Sequence, residues 1–316
     1  LRRNKSRRFI NILVDTIQVD TSAPQWQYRV AMTIWNATTR RVIRNVGIGF
    51  FAVSIFALSI GCRDTRSSVL ERELLFRLEI GRLEDQLDLI SRDGVLPQMR
   101  TTVYMHDGFV YIGNGPANKI MEFTSYGDLV RLIYDPQQNP EPITLGDAES
   151  SDSEEVERTR GATEYPFGRL GPITVDSRRF VYAEDRLDPE RSEYDEALGV
   201  QLNRIVVRFD DEGRALDYLG QEGIGGTPFP FIERLHTTIR DEIVVVAKTM
   251  DARIVYMYTA NGELMYTVRI DHDRLPIPEP ESNMISVLEE TVPSVDRYRL
   301  YLKISYYRPA RDEGTG

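Results

Sequence analysis

The chain has 316 residues, 41% of them hydrophobic, enough for one large domain or two small ones, and a formal net charge of −10. The charge is uneven: residues 1–61 hold nine Lys/Arg and two Asp/Glu, which leaves 30 basic against 47 acidic residues, −17, for the remainder. Such an acidic domain repels a nucleic-acid backbone, a single cysteine excludes an intramolecular disulfide framework or a paired-cysteine zinc site, and three scattered histidines (His106, His236, His272) argue against a multi-histidine metal site.

Residues 1–31 show no clear periodicity and do not begin with methionine. Met32 opens a stretch with the dimensions of a bacterial export signal. A basic segment carries Arg40, Arg41 and Arg44, an uncharged apolar run extends from Val46 to Ile60, and the small residue Gly61 precedes Cys62, the single cysteine. On this reading residues 1–31 are a non-native upstream extension and 32–61 a signal peptide cleaved after Gly61. Cys62 then becomes the lipidated first residue of a tether, 62–73. Two other readings stay open for the apolar run. It has about 15 core residues, against roughly 20 for a membrane-spanning helix, so it reads also as a short uncleaved anchor or a buried core helix. The residues before Gly61 depart from the usual lipid-attachment pattern, because Ile60 stands where a smaller side chain is customary.

The segment Val69–Ile90 is ambiguous. Leu70, Leu74, Leu78 and Leu87 suit a helical stripe, but Gly81 interrupts it and LLFRLEI alternates as a strand does. A strand near 74–80 followed by a polar connection is the expectation.

From Thr101 onward, short apolar runs alternate with turn residues, the pattern of an all-β protein. One unit recurs. Its first copy is TTVYMHD (101–107), GFVYIGN (108–114), KIMEFTSYGD (119–128) and LVRLIY (129–134). The second is GPITVDS (171–177), RFVYAED (179–185), NRIVVRFDDEG (203–213) and ALDYLG (215–220). The third is RLHTTIRD (234–241), EIVVVAK (242–248), ARIVYMYTANG (252–262) and ELMYTVRI (263–270). ISVLEETV (285–292) and RLYLKISYY (299–307) begin a fourth. Each copy reads as a four-stranded antiparallel meander. Its landmark is the turn between third and fourth strands (SYGD, DDEG, ANG), where glycine supplies a positive φ. One meander cannot cover both faces of its sheet, so copies must stack, and radial stacking gives a β-propeller over residues 74–316. A β-sandwich with similar hairpins is the alternative.

GPITVDSRRFVYAED followed by NRIVVRFDDEGRALDYLG resembles an NHL-type blade of six-bladed propellers. With the cysteine segment in front, Cys62 to the C-terminus is similar to the propeller lipoproteins of spirochaete-type bacteria. That resemblance implies a lipid-anchored propeller at the bacterial cell envelope and implies no particular activity, since propellers host enzymes, binding modules and scaffolds alike. Two departures stand out. Insertions occupy 135–165 and 186–202, and only three and a half copies are present, so the ring reads as incomplete and the chain as a C-terminally truncated fragment. LLFRLEI is placed where a closing outer strand would lie.

No catalytic residue, metal ligand or cofactor is assigned. The insertion GDAESSDSEEVE (146–157) reads as a solvated acidic loop, since it lacks the spacing of a calcium loop. Asp185, Asp188 and Glu190 are oxygen ligands in principle, but the matching second-strand ends carry Asn114, Asp185 and Lys248, not a shared set of acids. Gly113–Pro116 and Gly223–Gly226 lack the lysine and the strand-to-helix order of a phosphate loop and read as connections. The function expected is that of a binding or scaffold module held to a membrane through Cys62, meeting a protein or envelope ligand on a propeller face and no nucleic acid. The alternative is a hydrolase or lyase with a metal in the central channel, acting on a small envelope metabolite.

Overall fold

The computed structural model describes residues 9–17, 70–89, 101–145, 160–196, 198–277 and 284–307. Contacts divide the chain into two units, one of Leu1–Ile12 with Leu75–Gly316 and the other Leu13–Leu74. Gly61, Cys62 and the whole apolar run before them lie outside the described residues, as does most of the first insertion.

The described residues are all-β, with no α-helix. Strands β1 (Phe9–Ile17) and β2 (Leu70–Glu79) pair as a two-stranded sheet. The first large sheet contains β3 (Thr101–His106), β4 (Phe109–Asn114), β5 (Lys119–Thr124), β6 (Leu129–Tyr134) and β7 (Gly161–Glu164), in that order. The second contains β8 (Leu170–Val175) and β9 (Val181–Arg186). The hairpin of β10 (Glu193–Asp195) and β11 (Val200–Leu202) interrupts it before β12 (Arg204–Phe209), β13 (Ala215–Gly220) and β14 (Gly223–Ile224). Its order is β14-β13-β12-β9-β8. The third is β15 (Phe231–Thr237), β16 (Ile243–Lys248), β17 (Ala252–Tyr258) and β18 (Leu264–Asp271), a plain antiparallel meander. A hairpin of β19 (Ile285–Pro293) and β20 (Leu300–Tyr307) follows.

Every strand of the three repeated copies is present, in the expected order. Within the large sheets two strands exceed the expectation. In the first sheet β7 joins β6 in parallel, from the far end of the first insertion, and in the second β14 pairs back on β13. The strand anticipated near 74–80 is β2. Its partner is β1, which a sequence stretch without visible periodicity did not announce. Phe76 and Leu78 of β2 pack on the first sheet with Val110, Met121 and Phe123, the Phe76 and Phe123 rings 5.5 Å apart.

The turns explain why the copies look alike. Gly127, Gly213 and Gly262 have φ of 89°, 87° and 89°, a region in which an L side chain is strained. Around each glycine the same bonds recur. Thr124, Asp210 and Thr259 accept the N–H of Gly127, Gly213 and Gly262 on their carbonyls. Their own N–H groups donate to the carbonyls of Asp128, Arg214 and Glu263. Their side-chain oxygens take the N–H of Asp128, Arg214 and Glu263 in turn. A threonine or aspartate three residues before glycine thus closes each hairpin.

Strands with both faces covered need no alternation. That is why Ile243–Ala247 is a continuous apolar run in which every residue is buried, whereas most of edge strand β18 is exposed. One core lies between the first and second sheets, around Tyr111, Ile133, Phe167 and Phe209. A second lies between the second and third, around Val206, Phe229, Val245 and Tyr258. A third, smaller core joins Val246 and Met257 of the third sheet to Leu300 of the last hairpin.

The sheets are not stacked in parallel. Thr237 of β15 donates from Oγ1 to the Val175 carbonyl at 2.5 Å, so that oxygen is free to accept. Tyr104 of β3 donates to it at 3.0 Å, and Thr174 of β8 lies 3.3 Å away. Side chains from the first strands of three successive sheets therefore meet. In a parallel stack, sheets one and three would stand about 20 Å apart, at roughly 10 Å per layer. The first strands converge. Among the described residues the sheets do not close into a ring.

Candidate functional site

The second strand of each large sheet ends where it hands over to the third. Asn114, Asp185 and Lys248 all fall there, and the structure gives them three different jobs. The Asn114 amide donates to the Asp88 carbonyl (2.9 Å) and to Thr101 (3.2 Å), while its oxygen accepts the Asp88 N–H (3.0 Å). It clamps the segment after β2 onto the first sheet. Asp185 is buried and accepts the Arg169 N–H at 2.9 Å. Burial pushes its carboxyl up to about 6, against the backbone N–H groups of Arg169, Gly168 and Arg186 that favour the charged form. Lys248 is exposed. The three do not converge, and Asp188 and Glu190 of the insertion point to solvent.

Several of the buried charges elsewhere are paired, whereas the buried Lys119 ammonium donates to the Leu83 carbonyl and burial lowers its pKa to about 8. Glu122 of β5 receives Arg131 Nε at 2.6 Å, Arg179 Nη2 at 2.5 Å and the Tyr111 hydroxyl at 3.2 Å. Asp176 binds Arg178 and the Tyr182 hydroxyl, and Arg253 is held by Glu233. Arg253 also donates to Nε2 of His272 at 3.1 Å, which makes that nitrogen an acceptor. His236 lies on β15 with Nε2 buried and unbonded, and burial followed by the nearby Arg234 charge lowers its pKa to about 4. His106 sits at the end of β3 beside Asp107. His106 and His236 lie on separate strands, and His272 opens a 3-10 turn after β18. Among the described residues, three carboxylates gather only at Asp210, Asp211 and Glu212. Asp210 there spends its oxygens on the turn and on Arg214.

Two open clefts flank the β16–β17 turn. One, of about 420 Å3, is lined by Asp251, Asp271, His272, Asp273 and Arg274. Its acids are largely neutralised, because Arg269 bridges Asp251 and Asp271 at 2.6 Å each. The other, of about 550 Å3, lies between the second and third sheets and includes Arg186, Arg204, Lys248, Asn203, Gln201, Thr249, Phe231 and Met250. No carboxylate lines it. Arg186 and Arg204 are direct cross-strand partners on β9 and β12. Opposite them, Phe231 and Lys248 are direct cross-strand partners on β15 and β16. The Arg204 guanidinium sits 5.1 Å from the centre of the Phe231 ring and joins the two walls.

This cationic cleft is not visible in the sequence. Arg186 and Arg204 stand on either side of an insertion, and only the β9–β12 register makes them neighbours. The available signal was the basic residue one position beyond Asp185, paired with the one that follows Asn203.

No protein-family model matches the chain, and no curated protein matches it.

Proposed function

We propose that the protein is an exported, lipid-anchored β-propeller of NHL-like type that acts as a binding or scaffold module at the bacterial cell envelope, held to the membrane through Cys62. The observation that supports the propeller is the meeting of Tyr104, Thr174 and Thr237 from three successive sheets. Wedge-shaped stacking about an axis near the first strands is how four-stranded units turn into a ring. The hairpin β19–β20 stands where a fourth unit would begin.

A binding role suits the way charge is distributed. Buried acids such as Glu122, Asp176 and Glu184 are committed to arginines that tie the framework together. The open cleft between the second and third sheets offers side chains that the framework leaves uncommitted, Lys248 and Arg186 among them. Such a surface recognises a ligand without requiring the protein to transform it.

The anchor is tested by fractionation of cells that produce the chain and its Cys62→Ser variant. The expected result is recovery of the starting chain with membranes and of the variant in the soluble fraction, since a doubly acylated amino-terminal cysteine supplies stable anchoring and serine takes no lipid. Full retention of Cys62→Ser on membranes, with the apolar segment still attached, contradicts the lipid anchor and favours a membrane-embedded segment.

A further inference from the structure

We propose that the cleft between the second and third sheets is a binding site for the phosphate group of a small organic phosphate monoester, recognised by Arg186, Arg204 and Lys248. The inference deepens the binding-module reading, on which it rests.

Like charges directly opposite each other on neighbouring strands are destabilising, yet β9 and β12 set Arg186 against Arg204. Glu184 is bonded to Arg204, and its charge offsets only part of the repulsion at Arg186. Arg186 has no hydrogen bond or ion pair to a side chain among the described residues. Burial first, then the Arg204 and Arg169 charges, lowers its guanidinium pKa. Nε of Arg204 is buried with no acceptor. Lys248 adds a third cation from the facing sheet, on a protein whose formal net charge is −10. A fold that crowds cations in this way is relieved by an anion arriving between them.

The number of cations argues for an anion of more than one charge. A phosphate monoester carries close to two negative charges at neutral pH and three acceptor oxygens. It suits two planar guanidinium forks and one ammonium better than a single carboxylate does. Asn203, Gln201 and Thr249 bring neutral polar groups to the same cleft. Phe231 and Met250, 45% and 89% exposed, provide an apolar flank for the organic part of the ester. Inorganic phosphate satisfies only the polar half of this lining.

Isothermal titration of the 316-residue chain with inorganic phosphate, phenyl phosphate and benzoate tests the proposal. The expected order of affinity is phenyl phosphate, then phosphate, with benzoate weakest, and binding weakens as salt rises. Arg186→Gln is expected to weaken phenyl phosphate roughly tenfold or more. Lys248→Gln, at an exposed position where folding is not at stake, is expected to weaken it to a smaller extent, whereas Arg214→Gln on a distant turn leaves it unchanged. No saturable binding of either phosphate at millimolar concentration overturns the proposal, as does binding that both cleft variants leave intact. Either outcome is separable from a failure of the anchor, because membrane release in Cys62→Ser does not depend on the cleft.

Discussion

Replacing Glu122 with glutamine is expected to destabilise the domain by about 3–5 kcal/mol, because it leaves a buried arginine without its counter-charge. Glu122 and Arg131 are 1% and 5% exposed. Arg131 donates to Glu122 and reaches across to the Asp210 carbonyl at 2.8 Å and the Arg179 carbonyl at 3.2 Å. Arg179 itself returns to Glu122. The network therefore binds the first sheet to two turns of the second, and removing its only carboxylate loosens a sheet-to-sheet contact as well as exposing a charge to a poor environment. Neutralising both partners with apolar side chains, in Glu122→Leu with Arg131→Met, is expected to cost less than the single change. Urea unfolding followed by circular dichroism measures both. A loss below about 1 kcal/mol for Glu122→Gln would place the pair among surface ion pairs of small effect.

The second large effect is expected at Phe229. The residue belongs to the connection before β15, has no exposed surface, and sets its ring edge-on to Tyr256 at 5.1 Å and Tyr258 at 6.5 Å. Its backbone also exchanges hydrogen bonds with Arg204. It fills the core between the second and third sheets, and Tyr258 beside it donates to the Gly220 carbonyl at 2.8 Å. Truncation in Phe229→Ala is expected to cost about 3–5 kcal/mol through lost burial and an unfilled cavity. Phe229→Leu keeps most of the volume and is expected to lose less than half as much. Thermal denaturation checks the pair. Equal losses for alanine and leucine would mean that ring geometry, not volume, holds this interface.

The strands of the repeated copies were legible because their signals are local. A run such as Ile243–Ala247 specifies a strand buried on both faces, and Gly127, Gly213 and Gly262 mark hairpin turns by a requirement that acts over four residues. Strand β7 was not legible, since its parallel pairing with β6 depends on a chain return across an insertion. Strand β1 pairs with a strand more than fifty residues away. The cationic cleft was hidden for the same reason: its walls are cross-strand pairs from two different sheets, and composition reports an acidic protein that conceals a local excess of arginine. Asn114 and Asp185 are equivalent positions by strand register, but the matching residue of the third sheet is the buried Ala247, and Lys248 stands one residue further on, at the position of Arg186. Cys62 and the segment before it lie outside the described residues, so that reading rests on the sequence and on its own experiment.

Wedge-shaped stacking of successive units is the claim on which the rest depends, and a double-mutant cycle at Tyr104 and Thr237 tests it most directly. These residues belong to the first and third sheets and touch at 3.0 Å only because the first strands converge. Unfolding free energies of Tyr104→Phe, Thr237→Val and the double variant yield the coupling between them. About 0.5–1.5 kcal/mol of coupling is expected for a hydrogen bond of this kind. Additivity within about 0.3 kcal/mol would contradict the convergence of the three sheets and return the chain to a parallel stack or sandwich.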